Sequence, residues 1–360
     1  MDIQAEVIRA CGKIIDADFR QDIVSLDYVR NVRLHQGHLQ FDLVIPTPLF
    51  PSKMLLREET LKGVRDLPGV SSVEVRLISE IRGQRQDAIA GVKNIIAIGS
   101  GKGGVGKSTV AVNLAVGLAK YGARVGLVDG DVYGPTLPIM LGVQDAGLMQ
   151  NEKGIIPIEA HGVRLMSMGL LARGSTPLIW RGPMAHKAIQ DALLHVDWGE
   201  CDYLIVDMPP GTGDVHLTLV QTVPVTGAVI VSTPQDVGMI ISMKTYRLFE
   251  QTKVPLLGMI ENMSYHHCTH CGARDEIFGH GRVRIEAEGL GVPFLGEIPL
   301  VRQMREQADL GMPAVVLTDT PMAACYLDIL GRLTAEVHLA QRRAIPVIEE
   351  AAEEAETFSV

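Results

Sequence analysis

"NIIAIGSGKGGVGKSTVAVNLAVGLAKYG", residues 94–122, decides the fold. A short apolar run leads into a glycine-rich turn, and a helical stretch follows. Inside it, Gly101 to Ser108 spells G-x-x-x-x-G-K-S between strand and helix, the context that a phosphate-binding loop needs. Gly101, Gly103, Gly104 and Gly106 let the backbone turn sharply and aim amide N–H groups at phosphate oxygens. The helix N-terminus adds partial positive charge. Lys107 is placed to reach the β- and γ-phosphates of ATP, and the Ser108 hydroxyl to ligate Mg²⁺. Val105 and Thr109 complete a nucleotide-binding stretch over residues 101–109.

Outward from this loop the same rhythm repeats. "RVGLVD", "YLIVDMP", "GAVIVSTP", "VPLLGMIEN" and "PFLGEIP" are short, apolar and bounded by turn residues, with helical stretches such as "PMAHKAIQDALLHV" between them. This alternation predicts an α/β fold with a doubly wound, mostly parallel sheet, ligands binding at the carboxyl ends of its strands. The composition agrees: 47% of residues are hydrophobic but only 4% aromatic, the aliphatic mass of a sheet covered on both faces.

Residues 1–82 read differently. "AEVIRACGKII" has helical periodicity, "HLQFDLVIP" and "VSSVEVRLI" alternate as half-buried strands, and "KMLLREETLKGVRDLPG" is a helix stopped by Pro-Gly. We expect a small α+β domain there, a linker over 83–92, the nucleotide-binding domain over 93–340 and an acidic, frayed tail over 341–360. The formal charge of −9 argues against nucleic acid or anionic membrane as a partner. Five cysteines are too few for a disulfide scaffold. With no apolar signal core and no membrane-length apolar run, the expectation is a cytoplasmic protein.

The acidic residues fall where phosphate chemistry needs them. Asp207 ends the strand "YLIVDMPP", so its carboxylate emerges at the strand tip to hold Mg²⁺ through water, and the "PPGTGD" segment after it is able to move. Asp131 in "VDGDVYGPT" is the candidate for orienting the attacking water, with Asp129 as runner-up; a turn or cap role competes for either. Lys102 is a second lysine in one tight loop. It either points to solvent or crosses a two-fold axis to the phosphate of a facing subunit, as an arginine finger does.

In "ENMSYHHCTHCG", residues 261–272, Cys268 and Cys271 have metal-chelating spacing, but the chain has no second such pair. Two thiolates are half a coordination sphere. A redox pair lacks the thioredoxin-type pattern around it. Zinc within one subunit would draw on two of His266, His267, His270 and His280. Alternatively, an isologous dimer brings two copies together and supplies four thiolates, suited to a [4Fe–4S] cluster or to zinc.

Together "GSGKGGVGKSTVAVNLA", "VDGDVYGPTLP", "IWRGPM", "LIVDMPPGTGD", "STPQDV" and "IENMSYHHCTHCG" resemble the Mrp/ApbC-type P-loop ATPases, of the class that holds MinD, ParA and the nitrogenase iron protein. The first 90 residues resemble the small domain often fused ahead of such ATPases and found alone in iron–sulfur assembly proteins. The resemblance implies a cytosolic homodimer that binds ATP in each subunit and carries a bridging [4Fe–4S] cluster from a scaffold to apoproteins; hydrolysis is expected to be slow, since nothing in the chain suggests a fast general base. It makes Lys102 the signature lysine, Lys107 the ordinary loop lysine, Asp131 the water-orienting residue, Asn262 a contact to the adenine base, and Cys268 and Cys271 the cluster ligands. Two departures stand out. Phe50 replaces the cysteine usual between the prolines of "TPLFPS", and Thr269 and His270 fill an interval that often holds proline. A spatial regulator of the MinD or ParA kind is the rival reading, disfavoured by the glutamate-rich tail. A cluster-retaining electron-transfer protein is another.

Overall fold

The computed structural model describes residues 3–48, 51–83, 89–131, 134–171, 182–211, 214–268, 270–317 and 320–344. Phe50, Thr269, Thr212 and Gly213 of the Pro-Gly segment, half of the expected linker and most of the acidic tail lie outside them.

The amino-terminal unit has a helix Ile3–Cys11, strands β1 (Val29–His35) and β2 (His38–Ile45), a helix Pro51–Val64 and strand β3 (Ser72–Ser79). β2 pairs antiparallel with β1 and parallel with β3. The parallel pairing requires a crossover, which the Pro51–Val64 helix provides. Strand β1 was not anticipated: its burial is irregular, and a bulge between Arg30 and Arg33 breaks the alternation.

The large unit contains β4 (Ile95–Gly99), β5 (Val125–Asp129), β6 (Ile158–Ala160), β7 (Val163–Ser167), β8 (Tyr203–Asp207), β9 (Gly227–Ser232), β10 (Leu256–Asn262) and β11 (Phe294–Ile298). Among the described residues these form one eight-stranded sheet in the order β6-β7-β5-β8-β4-β9-β10-β11. Only the β6–β7 pair is antiparallel. Every residue of β4, β5, β8 and β9 is buried, because helices cover both faces and leave no solvent side for polar residues. The fold class expected from the sequence is the one observed. The β6–β7 hairpin at the edge was not anticipated.

The two units share a helix. In Pro321–Ala344, Leu330 and Leu333 pack into the core of the large unit, while Ala335 joins the core of the small one. The His338 ring meets Phe19 edge-on at 5.4 Å. Among the described residues no helix is long and apolar enough to cross a membrane.

Parallel register fixes where chemistry can occur. Asp207 at the end of β8 pairs with Ile98 of β4 and Asp129 of β5, and Glu261 of β10 pairs with Ser232 of β9. The carboxyl ends of five adjacent strands therefore open on one edge, where the loop after β4 lies.

Candidate functional site

The loop after β4 turns through two glycines in the left-handed region, Gly104 (φ +80°) and Gly106 (φ +79°). Gly106 is doubly constrained, since an added Cβ would lie 2.3 Å from Asn262 Nδ2. Helix Lys107–Lys120 starts directly after it, with no side chain capping its first amides. Those amides remain available to an anion. Val105 is buried in the core, and the Thr109 carbonyl accepts a 2.8 Å bond from Asn113 Nδ2.

At the floor of the site Lys107 Nζ lies 2.6 Å from Asp207 Oδ1, and Ser108 Oγ donates to Asp207 Oδ2 at 2.6 Å. Burial pushes the Asp207 carboxyl up from its ordinary range, while Lys107 and Ser108 oppose the rise. Burial also pushes Asp129 up to about 7, with the Asp207 charge adding to it and the Ser167 hydroxyl opposing. Asp129 accepts bonds from the Asp131 and Leu137 amides and from Ser167 Oγ. It thus braces the loop after β5. Asp131, half-buried beyond it, accepts the Gly134 amide at 3.2 Å and raises Asp207 by its charge. The structure therefore gathers Lys107, Ser108 and Asp207 at the strand ends, with Asp131 near enough for its charge to act on Asp207, and shows Asp129 bracing the loop.

Lys102 neither joins this floor nor extends into solvent. Its Nζ lies 2.6 Å from Gln235 Oε1, in the loop after β9. Asn262, 1% exposed, donates from Nδ2 to the Val105 carbonyl at 2.8 Å. Its Oδ1 is buried with no hydrogen-bond partner among the described residues. A buried acceptor in want of a donor beside the phosphate loop fits the exocyclic amine of a nucleotide base. The cradle as a whole fits a nucleotide, and Ser108 with Asp207 offers the hydroxyl and carboxylate oxygens that Mg²⁺ prefers.

The cysteines sit on an excursion between β10 and helix Arg282–Leu290, framed by the short pair His266–His267 and Arg274–Asp275. Cys268 N donates to Ala273 O at 2.9 Å and Gly272 N to Cys268 O at 2.8 Å, closing a tight knuckle. The amides of Cys271 and His270, then the Cys271 thiol, point at the Cys268 sulfur and hold its thiol below the ordinary range. Cys268 is partly exposed and Cys271 exposed. A cysteine sulfur so placed is a ready metal ligand. Cys11 and Cys201 are buried, each with its thiol pushed up to about 12 by burial.

The single-subunit zinc alternative is not assembled. Among the described residues the gathered group of potential ligands is Glu261, His280 and Glu297, which includes neither cysteine. Three of the four candidate histidines make other contacts: His266 Nδ1 with Leu300 O at 2.9 Å, His267 Nδ1 with Gly272 O at 3.3 Å, and His280 Nε2 with Glu297 Oε2 at 2.8 Å, while His270 is exposed. Cys268 and Cys271 remain half a ligand set within one chain. Sequence reasoning missed Gln235 and Glu261, although both lie in stretches it singled out.

Residues 91–334 match the family model described as NUBPL iron-transfer P-loop NTPase, and residues 4–76 match the iron–sulfur cluster assembly protein model. The iron–sulfur cluster carrier protein of Deinococcus radiodurans is 46% identical over 330 residues, covering 91% of this chain and 94% of that one. The iron–sulfur cluster transfer protein NUBPL of Dictyostelium discoideum is 43% identical, covering 80% and 91% respectively. Among solved structures, a nucleotide-binding protein from Archaeoglobus fulgidus in complex with ADP is 39% identical with a TM-score of 0.55, covering 61% of this chain and 87% of that one.

Proposed function

Since this chain belongs to the iron–sulfur cluster carrier family of P-loop NTPases, we propose that it works as a cytoplasmic homodimer, slowly hydrolysing ATP to govern delivery of a [4Fe–4S] cargo. The observation that carries this reading is the incomplete cysteine pair: Cys268 and Cys271 sit on a hydrogen-bonded knuckle, and among the described residues no further ligand of the same chain is gathered with them. Two copies facing across a diad supply four thiolates, the ligand count of such a cluster.

At the nucleotide, the loop amides and Lys107 bind the phosphates and Asn262 Oδ1 takes the base. Ser108 and Asp207 would hold Mg²⁺, which when bound neutralises phosphate charge. Asp207, in holding the ion, would release Lys107, leaving its ammonium free to turn to the phosphates. Asp131 orients the attacking water. Lys102, released from Gln235, crosses the diad to the facing phosphate, where a cation offsets charge developing in the transition state. Residues 207–211, joined to the loop by the Gly211 N–Ser100 O bond at 2.9 Å, follow the γ-phosphate. Partners are an iron–sulfur scaffold and apo-acceptors, with the amino-terminal unit (residues 1–82) as docking module; the negative net charge speaks against nucleic acid and membrane.

Anaerobic reconstitution with iron and sulfide tests the reading. Wild type should hold one cluster per dimer, with visible absorbance and dimeric mass, and Cys268→Ala should lose all three. Zinc alone, bound without absorbance by a monomer, overturns it. Reducing the cluster and adding an apo-acceptor separates transfer from electron transport: a carrier gives the cluster up.

A further inference from the structure

Strand β10 ends in two consecutive buried residues, Glu261 (0% exposed) and Asn262 (1%), whose side chains point to opposite faces. Asn262 touches the phosphate loop from one face, as described. Glu261 serves the other. Its Oε1 accepts Ser264 Oγ at 2.5 Å and the Gly281 amide at 2.9 Å, and its Oε2 accepts the Val283 amide at 2.9 Å. Gly281 is the residue that begins helix Arg282–Leu290, and no side chain of its own caps that helix. The Glu261 carboxylate supplies the cap from another element, placing its negative charge at the positive end of the helix.

Between Ser264 and Gly281 runs the excursion that carries Cys268 and Cys271. Both of its ends therefore hang on one buried carboxylate. That carboxylate is one peptide unit from the residue that touches the phosphate loop, in a strand paired on both sides: Glu261 opposite Ser232 and opposite Glu297. The contact at Asn262 is too close for even a methyl group on Gly106. A shift of the loop at Gly106 would therefore meet Asn262, and with it the strand end, directly.

We propose that Glu261 is a positioning residue that makes the exposure of Cys268 and Cys271 depend on the nucleotide in the phosphate loop. This rests on the reading of that loop as a nucleotide site, and extends it to regulation of the thiols. Two discrete arrangements of the excursion follow, one for each nucleotide state, both pivoting on the same carboxylate.

The test needs no cluster. Cluster-free wild type is alkylated with iodoacetamide alone, with ADP, and with a non-hydrolysable ATP analogue, and modification of the 268–271 peptide is followed by mass. The expected result is a rate ratio between nucleotide states of at least about fivefold, the lower range of ordinary coupling. In Glu261→Gln, which keeps the shape but sets a donor against an amide, the ratio should fall to about one with ADP still bound. Simple loosening would raise both rates and preserve the ratio. Ser264→Ala, a milder change, should reduce the ratio partway, and it answers the question if Glu261→Gln does not fold. A ratio of one in nucleotide-bound wild type, or an unchanged ratio in Glu261→Gln or in Ser264→Ala, overturns the proposal. Failure to reconstitute a cluster would sink the carrier function while leaving this result standing.

Discussion

Lys107 and Asp207 form a buried ion pair at 2.6 Å, the ammonium side chain 6% exposed and the carboxylate 0%. Each is the other's counter-charge in a place where water contributes little. On the proposed mechanism the same two residues turn toward phosphate and Mg²⁺, so ligand binding would exchange this pair for other contacts. Removing one member leaves a buried charge. Lys107→Met should destabilise the nucleotide-free protein by about 3–5 kcal/mol, read by denaturant unfolding. Adding Asp207→Asn in the same chain should restore most of that loss. If Lys107→Met is as stable as wild type, the pair is not holding the apo site.

Lys102 presents a different equilibrium. Its bond to Gln235 Oε1 keeps it on its own subunit, whereas action across a diad requires release. A hydrogen bond with one charged member contributes about 1.5–3 kcal/mol. Gln235→Ala should therefore strengthen ATP-dependent dimerisation by roughly tenfold or more, measured by sedimentation with a non-hydrolysable analogue. Lys102→Ala should instead retain ATP binding and lose on the order of 10³ in hydrolysis rate. Equal hydrolysis by Lys102→Ala and wild type would remove Lys102 from the mechanism.

The two left-handed glycines of the loop separate strain from crowding. An added Cβ on Gly104 meets nothing within 4 Å, so Gly104→Ala carries only the conformational cost of a positive φ, about 1–2 kcal/mol. Gly106→Ala carries the same cost and also drives into Asn262 Nδ2. It should lower the melting temperature further and weaken ADP binding in titration calorimetry, whereas Gly104→Ala should keep the Asn262 contact. Equal effects of the two substitutions would mean that the Gly106–Asn262 approach is not tight in solution.

What could be read from the sequence was what adjacency encodes. Lys107 and Ser108 are neighbours in a motif, and Asp207 ends an apolar strand, so their convergence follows from strand–loop–helix logic. The acceptor of Lys102 does not: Gln235 is 133 residues away, and nothing in a glutamine marks it as the partner of a particular cation. Glu261 is hidden for another reason. Its partners at Gly281 and Val283 are backbone amides, which every non-proline residue owns and no pattern advertises. The β6–β7 hairpin escaped because its turn uses His161 (φ +49°) and Gly162 (φ +79°), an uncommon turn pair, and because "VRLMS" becomes a strand through pairing with β5. Asp129 is the runner-up to Asp131 in the sequence, and its burial and bonds to the Asp131 and Leu137 amides and Ser167 show it bracing the loop.

The junction between the two units should be acid-sensitive, through His338. This imidazole is 6% exposed, set edge-on to Phe19, and its pKa is pushed down to about 4, first by burial and then by the charges of Arg82 and Arg342. An unfolded histidine titrates near 6.5. The unfolded chain thus binds this proton more readily than the folded one, so the stabilisation is complete above about pH 6.5 and is lost as pH falls toward 4. The full window corresponds to about 3 kcal/mol, of which about 2 kcal/mol is gone by pH 5. His338→Leu keeps an apolar side chain against Phe19 and has nothing to protonate. Its unfolding free energy relative to wild type should therefore rise by about 2 kcal/mol between pH 8 and pH 5. Denaturant titrations of both proteins at the two pH values measure this directly. A difference that stays constant would mean that the buried ring is protonated as readily in the folded chain as in the unfolded one.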